Sequence, residues 1–92
     1  MAKKKKKAPS PRKPLDKNEM KYLKLLGDRV EKVRKEKGFT QVQIAKQLGT
    51  EHAQIGRLER GLTNASIIVL RRIAGELGIS LSDLFNNVEP NS

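Results

Sequence analysis

Apolar side chains return every three or four positions between Tyr22 and Val33, so that Tyr22, Leu23, Leu26, Val30 and Val33 share one side of a helix. Asp16 and Glu19 have the spacing of a capping box at its start, and Gly38 stops it, which predicts a helix over about 16–37. Thr40-Gln41-Val42-Gln43 repeats the capping-box pattern and predicts a short helix over 41–48, closed by Gly49, a residue that tolerates positive φ. Thr50 stands where it can cap a third helix over 51–60, which Gly61 ends. Ser66 caps a fourth, 67–77, ended by Gly78, and Ser80-Leu81-Ser82-Asp83 opens a fifth over 81–86. No segment alternates with the period of a strand, so the fold class is all-α, with five helices between 15 and 86 and a frayed C-terminus over 87–92.

The third of these helices has two unlike sides. Projected at about 100° per residue, Ile55, Leu58 and Glu59 fall together, and Ala53, Gly56, Arg57 and Arg60 fall opposite them. One side is a core face; the other is small, polar and basic. Ala53 and Gly56 permit close approach to a groove, His52 and Arg57 have the reach for base edges, and Gln54 or Arg60 for a phosphate. A solvated surface face has the same composition, so the projection alone leaves both readings open. In the fourth helix, Ile68 and Val69 point away from the core side formed by Leu70, Ile73, Ala74 and Leu77. Three fates are open to them: cover by the start of the first helix with Met20, Tyr22 and Leu23, burial in a dimer, or simple exposure.

Charge sharpens the picture. The chain of 92 residues carries 20 Lys and Arg against 10 Asp and Glu, a net +10 that favours polyanionic partners. Lys3, Lys4, Lys5, Lys6, Lys7, Arg12 and Lys13 place seven of those cations in residues 1–14, beside Pro9, Pro11 and Pro14, with almost nothing apolar to bury. This segment reads as a disordered basic arm, suited to contacting DNA phosphates, although a solvated tail or an import signal has the same composition. There is no cysteine and one histidine, His52, so neither a disulfide nor a protein-only metal cage is available. No nucleophile constellation or acid–base pair supports a catalytic reading, and no cofactor or small-molecule ligand is implied. No apolar run approaches the roughly 20 residues of a membrane span, so the expectation is a cytoplasmic protein with no membrane partner.

Taken together, Leu26-Gly27, Val30, Val33-Arg34, Gly38-Phe39-Thr40-Gln41, Ile44-Ala45, Leu48-Gly49, Ile55, Leu58-Glu59-Arg60-Gly61, Leu70, Ile73-Ala74, Leu77-Gly78, Ser80 and Leu84 resemble the Cro and phage-repressor (Xre-like) helix-turn-helix domains over about 26–85. The resemblance implies a compact five-helix DNA-binding domain, with Ala45 where the second and third helices cross and Gly49 as the left-handed turn residue. It implies base contacts from His52, Ala53 and Arg57, and phosphate contacts from Gln54, Arg60 and Gln41, the last of which could also brace a side chain of the third helix. Thr63 and Asn64, in the loop before the fourth helix, are further phosphate candidates. Arg34 and Glu59 match a family ion pair tying the first helix to the end of the third, where the bland alternative is two separate solvated charges. The chain departs from the pattern at Ala65, where the family often has proline, and at Ala53 and Gly56, which replace longer polar residues on the reading face. The function so implied is a sequence-specific regulator of transcription of bacterial or phage origin, acting in the nucleoid. It would bind double-stranded DNA as a homodimer and repress by occlusion; a protein-interaction adaptor or antitoxin-type partner on the same fold is the alternative.

Overall fold

The computed structural model describes residues 13–89. Among them are five helices and no strand: α1 (Lys17–Glu36), α2 (Gln41–Leu48), α3 (His52–Glu59), α4 (Ile67–Leu77) and α5 (Leu81–Leu84). The start signals are local and are realised as hydrogen bonds. Glu19 N–H donates to Asp16 Oδ1 at 2.8 Å while Asp16 N–H donates to Glu19 Oε1 at 2.9 Å, and the same reciprocal pair joins Thr40 and Gln43 at 3.0 and 2.8 Å. Ser66 and Ser80 each accept a backbone N–H three residues on, at 3.1 and 3.0 Å. Satisfying these otherwise orphaned donors is what places the starts of α1, α2, α4 and α5.

The core lies where the five helices meet. α1 and α2 both pack on α3, α2 and α5 pack on α4, and α5 closes back on α1. Val30, Ile44, Ile73 and Leu84 are fully buried at the centre, one from each helix except α3, which contributes Ile55 and Leu58. Arg29 of α1 reaches the backbone carbonyl of Asp83 at 3.0 Å and ties α5 down.

Three expectations need correction. Thr50 does not cap α3. Its N–H closes the end of α2 by donating to Ala45 O at 2.9 Å, so the chain is still turning there, and Glu51 becomes the N-cap without a side-chain hydrogen bond. The fifth helix ends at Leu84 and not at 86, because the Phe85 N–H is shared between Leu81 O and Ser82 O and the last turn tightens. The chain is also not frayed from 87. Asn87 takes a left-handed φ of 65°, Val88 N–H bonds Phe85 O at 3.0 Å, and the Val88 side chain drops into the core at 1% exposure.

α1 and the end of α3 approach each other closely. A Cβ built on Gly27 would lie 2.5 Å from the carbonyl oxygens of both Leu58 and Glu59. Gly61, at φ +75°, faces the backbone of Lys24, whose Cα would be 2.7 Å from an added Cβ. The two glycines let α1 and the α3 terminus touch backbone to backbone, and this fixes the attitude of α3 on the rest of the domain.

Candidate nucleic-acid interface

α3 stands with its apolar side buried and its other side open. Ile55, Leu58 and Glu59 are 3%, 4% and 3% exposed, whereas His52, Ala53, Gln54 and Arg60 are exposed and Arg57 is half-buried. α2 and the turn at Gly49, with φ 68°, set this orientation. Ala45 is buried at 2% exposure on the α2 side that meets α3 and α4, where a longer side chain would push the helices apart.

The attitude of α3 is locked further by a row of polar contacts. Arg34 and Glu59, both buried, form a bidentate pair, with Nε donating to Oε2 at 2.6 Å and Nη2 to Oε1 at 3.0 Å. The third arm of the guanidinium, Nη1, donates to the Phe39 carbonyl at 2.7 Å. The hydrogen bond to Glu59 and its negative charge hold Arg34 above its ordinary pKa against the opposing effect of burial, so the guanidinium stays charged. From Glu59 the row continues outward: Gln41 Nε2 donates to Glu59 Oε1 at 2.8 Å, and Gln41 Oε1 lies 2.9 Å from His52 Nε2. Gln41 thus joins the start of α2 to the start of α3. One of its Nε2 protons is engaged by Glu59, leaving the other free for an anion.

Gly56 differs from the sequence picture. Periodicity puts it on the open side, but it is buried, because the long side chains of Gln41 and Arg60 lie across it; an added Cβ would meet Gln41 Oε1 and Arg60 Nη1, each at 3.7 Å. Gln54 borders a cleft between α3 and α4 together with Thr50, Thr63 and Arg72. Spacing gives no sign that Arg72 belongs near the interface, since it comes there through the packing of α4. Thr63 is half-buried and Asn64 exposed. Lys13 is exposed, while Lys3 to Lys7 and Arg12 lie outside the described residues. The start of α1 does not cover the apolar side of α4. Tyr22 and Leu23 turn toward Asn64 instead, and Ile68 and Val69 remain 52% and 39% exposed.

A short helix braced at both ends, projecting an open polar and basic side beyond a Gly-containing turn, is the geometry of a groove-reading helix. Comparison with known proteins agrees. A family model described as helix-turn-helix matches residues 30–84. The chain belongs to this helix-turn-helix family. As a member it is a DNA-binding regulator, and among its relatives is the control protein C.MunI of a Mycoplasma species, 36% identical over 64 residues that cover 68% of this chain and 86% of that protein. Another is the immunity repressor protein of Bacillus phage phi105, 37% identical over 57 residues, 62% of this chain and 40% of that protein. The helix-turn-helix fold also superposes on the restriction-modification controller protein C.AhdI from Aeromonas hydrophila with a TM-score of 0.66 and 32% identity, covering 68% of this chain and 96% of that one. No helix among the described residues is long and apolar enough to cross a membrane.

Proposed function

We propose that this helix-turn-helix protein is a transcriptional repressor that binds a near-palindromic operator as a dimer, with α3 in the major groove. The observation that carries the reading is the open side of α3, held rigid by the Arg34–Glu59–Gln41–His52 row. Arg57 and His52 read base edges, and Ala53 contacts a thymine methyl. The N-terminal end of α2, where Gln41 sits beside the positive end of the helix dipole, holds a phosphate on one side of the groove. Gln54, Arg60, Thr63 and Asn64 hold the backbone around α3. Two copies related by a dyad about 34 Å apart, one turn of DNA, read enough base pairs for useful specificity. The name of one relative, an immunity repressor protein, supports repression as the direction of control.

Selection of bound sequences from random duplex DNA is expected to return two inverted half-sites about 10 base pairs apart, centre to centre. Recovery of no common sequence would refute site-specific repression. Arg57→Ala is expected to cost about 1–3 kcal/mol at the selected site and to relax preference at one base pair. Equal weakening on unrelated DNA would reassign Arg57 to the phosphate backbone. The basic arm adds sequence-independent affinity: deletion of residues 2–13 is expected to weaken binding to all duplexes and to flatten the slope of log K against log salt by about 0.9 for each phosphate that the arm neutralises. An unchanged slope would show that the arm stays off the DNA.

One observation favours a second surface. Leu62, Ile67, Ile68 and Val69 are 66%, 58%, 52% and 39% exposed on the loop and first turn of α4. In the repressor reading they belong to the contact between two copies. In an adaptor reading they hold a different protein and DNA is not involved. Ile68→Asp separates the two: it is expected to lower operator affinity by weakening self-association, whereas an adaptor would lose its protein partner with duplex binding unchanged.

A further inference from the structure

Hydrogen-bond direction along the row that ends at His52 leaves one arrangement. A guanidinium only donates and an ionised carboxylate only accepts. Glu59 Oε1 accepts from Arg34 and from the group 2.8 Å away on Gln41, which must therefore be the amide nitrogen; a flipped amide would set oxygen against oxygen. Gln41 then turns its Oε1 toward His52, and that oxygen can only accept. His52 Nε2, 2.9 Å away, must carry a proton. In the neutral ring Nδ1 is left as a bare acceptor. It has no hydrogen-bond partner among the described residues, and His52 is exposed at the first position of α3.

We propose that this fixed tautomer makes His52 a specificity residue that selects, at the base it faces, an exocyclic amino group: adenine through N6 or cytosine through N4. In the major groove these are the donors, while guanine presents N7 and O6 and thymine presents O4, all acceptors. An acceptor opposite Nδ1 is repelled, so selection comes as much from rejecting guanine and thymine as from bonding the amino bases. Each base pair carries one amino base at its major-groove edge, so His52 senses which way round the pair is placed. Gln41 is the positioning residue. It fixes the His52 proton and ring plane, and is itself fixed by the buried ion pair. The inference rests on the placement of α3 in the groove and adds which base edge the helix requires.

The test uses the full chain. Long-range ¹H–¹⁵N spectra of the free protein at about pH 8, above the ordinary histidine range, read the protonated ring nitrogen directly. Nε2–H is expected, and Nδ1–H would overturn the inference whether or not DNA binds. Sequences selected from random duplex by the wild type and by His52→Ala are then compared. One position per half-site is expected to favour adenine or cytosine about three- to tenfold, the range of a single hydrogen bond, and to lose that preference in His52→Ala. At that pair, removing the exocyclic amino group from the duplex is expected to weaken wild-type binding by the same factor and to leave His52→Ala binding unchanged; unchanged wild-type binding overturns the inference and leaves the placement of α3 standing, whereas no enrichment at any position overturns both. Gln41→Leu keeps the volume and removes the acceptor, so the tautomers are expected to mix and preference to relax at that same position alone. A Gln41→Leu protein with a single tautomer and full preference would overturn the positioning role.

Discussion

Replacing Arg34 with methionine is expected to cost the domain about 3–5 kcal/mol of stability. Methionine fills much of the space, so the cost comes chiefly from Glu59. Its carboxylate, 3% exposed, would keep only the amide of Gln41 as a donor in place of the bidentate guanidinium. The Phe39 carbonyl, now bonded by Arg34 Nη1, would lose its donor as well. The double replacement Arg34→Met, Glu59→Leu is expected to recover most of that stability, because apolar groups can occupy a site left by both charges at little cost. Chemical denaturation of the wild type and the two variants checks this. A single replacement that costs under about 1 kcal/mol would place the pair among ordinary surface ion pairs. The double variant carries a second expectation: Gln41 loses the group that orients it, so a restored core should coincide with looser base preference.

The second large effect is expected at Gly27. Alanine there must displace the backbone carbonyls of Leu58 and Glu59, 2.5 Å from the new Cβ, and neither can swing aside as a side-chain tip would. Overpacking of this kind costs at the upper end of about 1–3 kcal/mol or beyond, more than the roughly 1 kcal/mol by which alanine is favoured over glycine in a helix. Gly75 of α4 supplies the contrast, with nothing within 4 Å of an added Cβ. Thermal unfolding is expected to show Gly27→Ala melting lower than the wild type and Gly75→Ala melting higher by about 4–8 °C, the shift that 1 kcal/mol produces in a domain of this size. A Gly27→Ala protein as stable as the wild type would contradict the tight contact between α1 and α3.

These two sites mark what the sequence could and could not show. The starts of α1 and α2 were legible because a capping box is a matter of residues three apart, Asp16 with Glu19 and Thr40 with Gln43, whereas that of α3, which has no side-chain cap, was misplaced onto Thr50. Helix ends were legible where glycine takes a left-handed φ, as at Gly49 and Gly78. The Arg34–Glu59 pair spans 25 positions, and no local pattern joins them; only the resemblance to the repressor family pointed to it. Gly27 carried a faint signal, a glycine inside a helix that would be more stable with alanine, and the reason for it lies in α3. Val88 gave none, since a single valine before Glu89 and Pro90 looks like a tail until the turn at Asn87 folds it inward. Among the candidate contacts, the open side of α3 followed from periodicity. The burial of Gly56 did not, because it depends on how the long side chains of Gln41 and Arg60 lie. The resemblance puts Gln41 at a phosphate and in support of α3, and the structure shows the supporting contact in detail.

The relation between stability and reading is the main physical feature of the domain. A buried ion pair is often no better for stability than packed apolar residues. Here its outer edge is continued by Gln41 to the exposed ring of His52, so the charged pair also sets the orientation of a side chain on the open face. With Ala53 small and Gly56 covered, few long side chains stand on the open side of α3, so in the proposed groove placement the orientation of each matters correspondingly more.

The placement of α3 is tested most directly by titrating the ¹⁵N-labelled protein with its selected duplex and following each backbone amide. The largest shifts are expected at Gln41 and Val42, along His52 to Arg60, and at Thr63 and Asn64. Shifts concentrated on α4 and α5, with α3 unmoved, would contradict that placement.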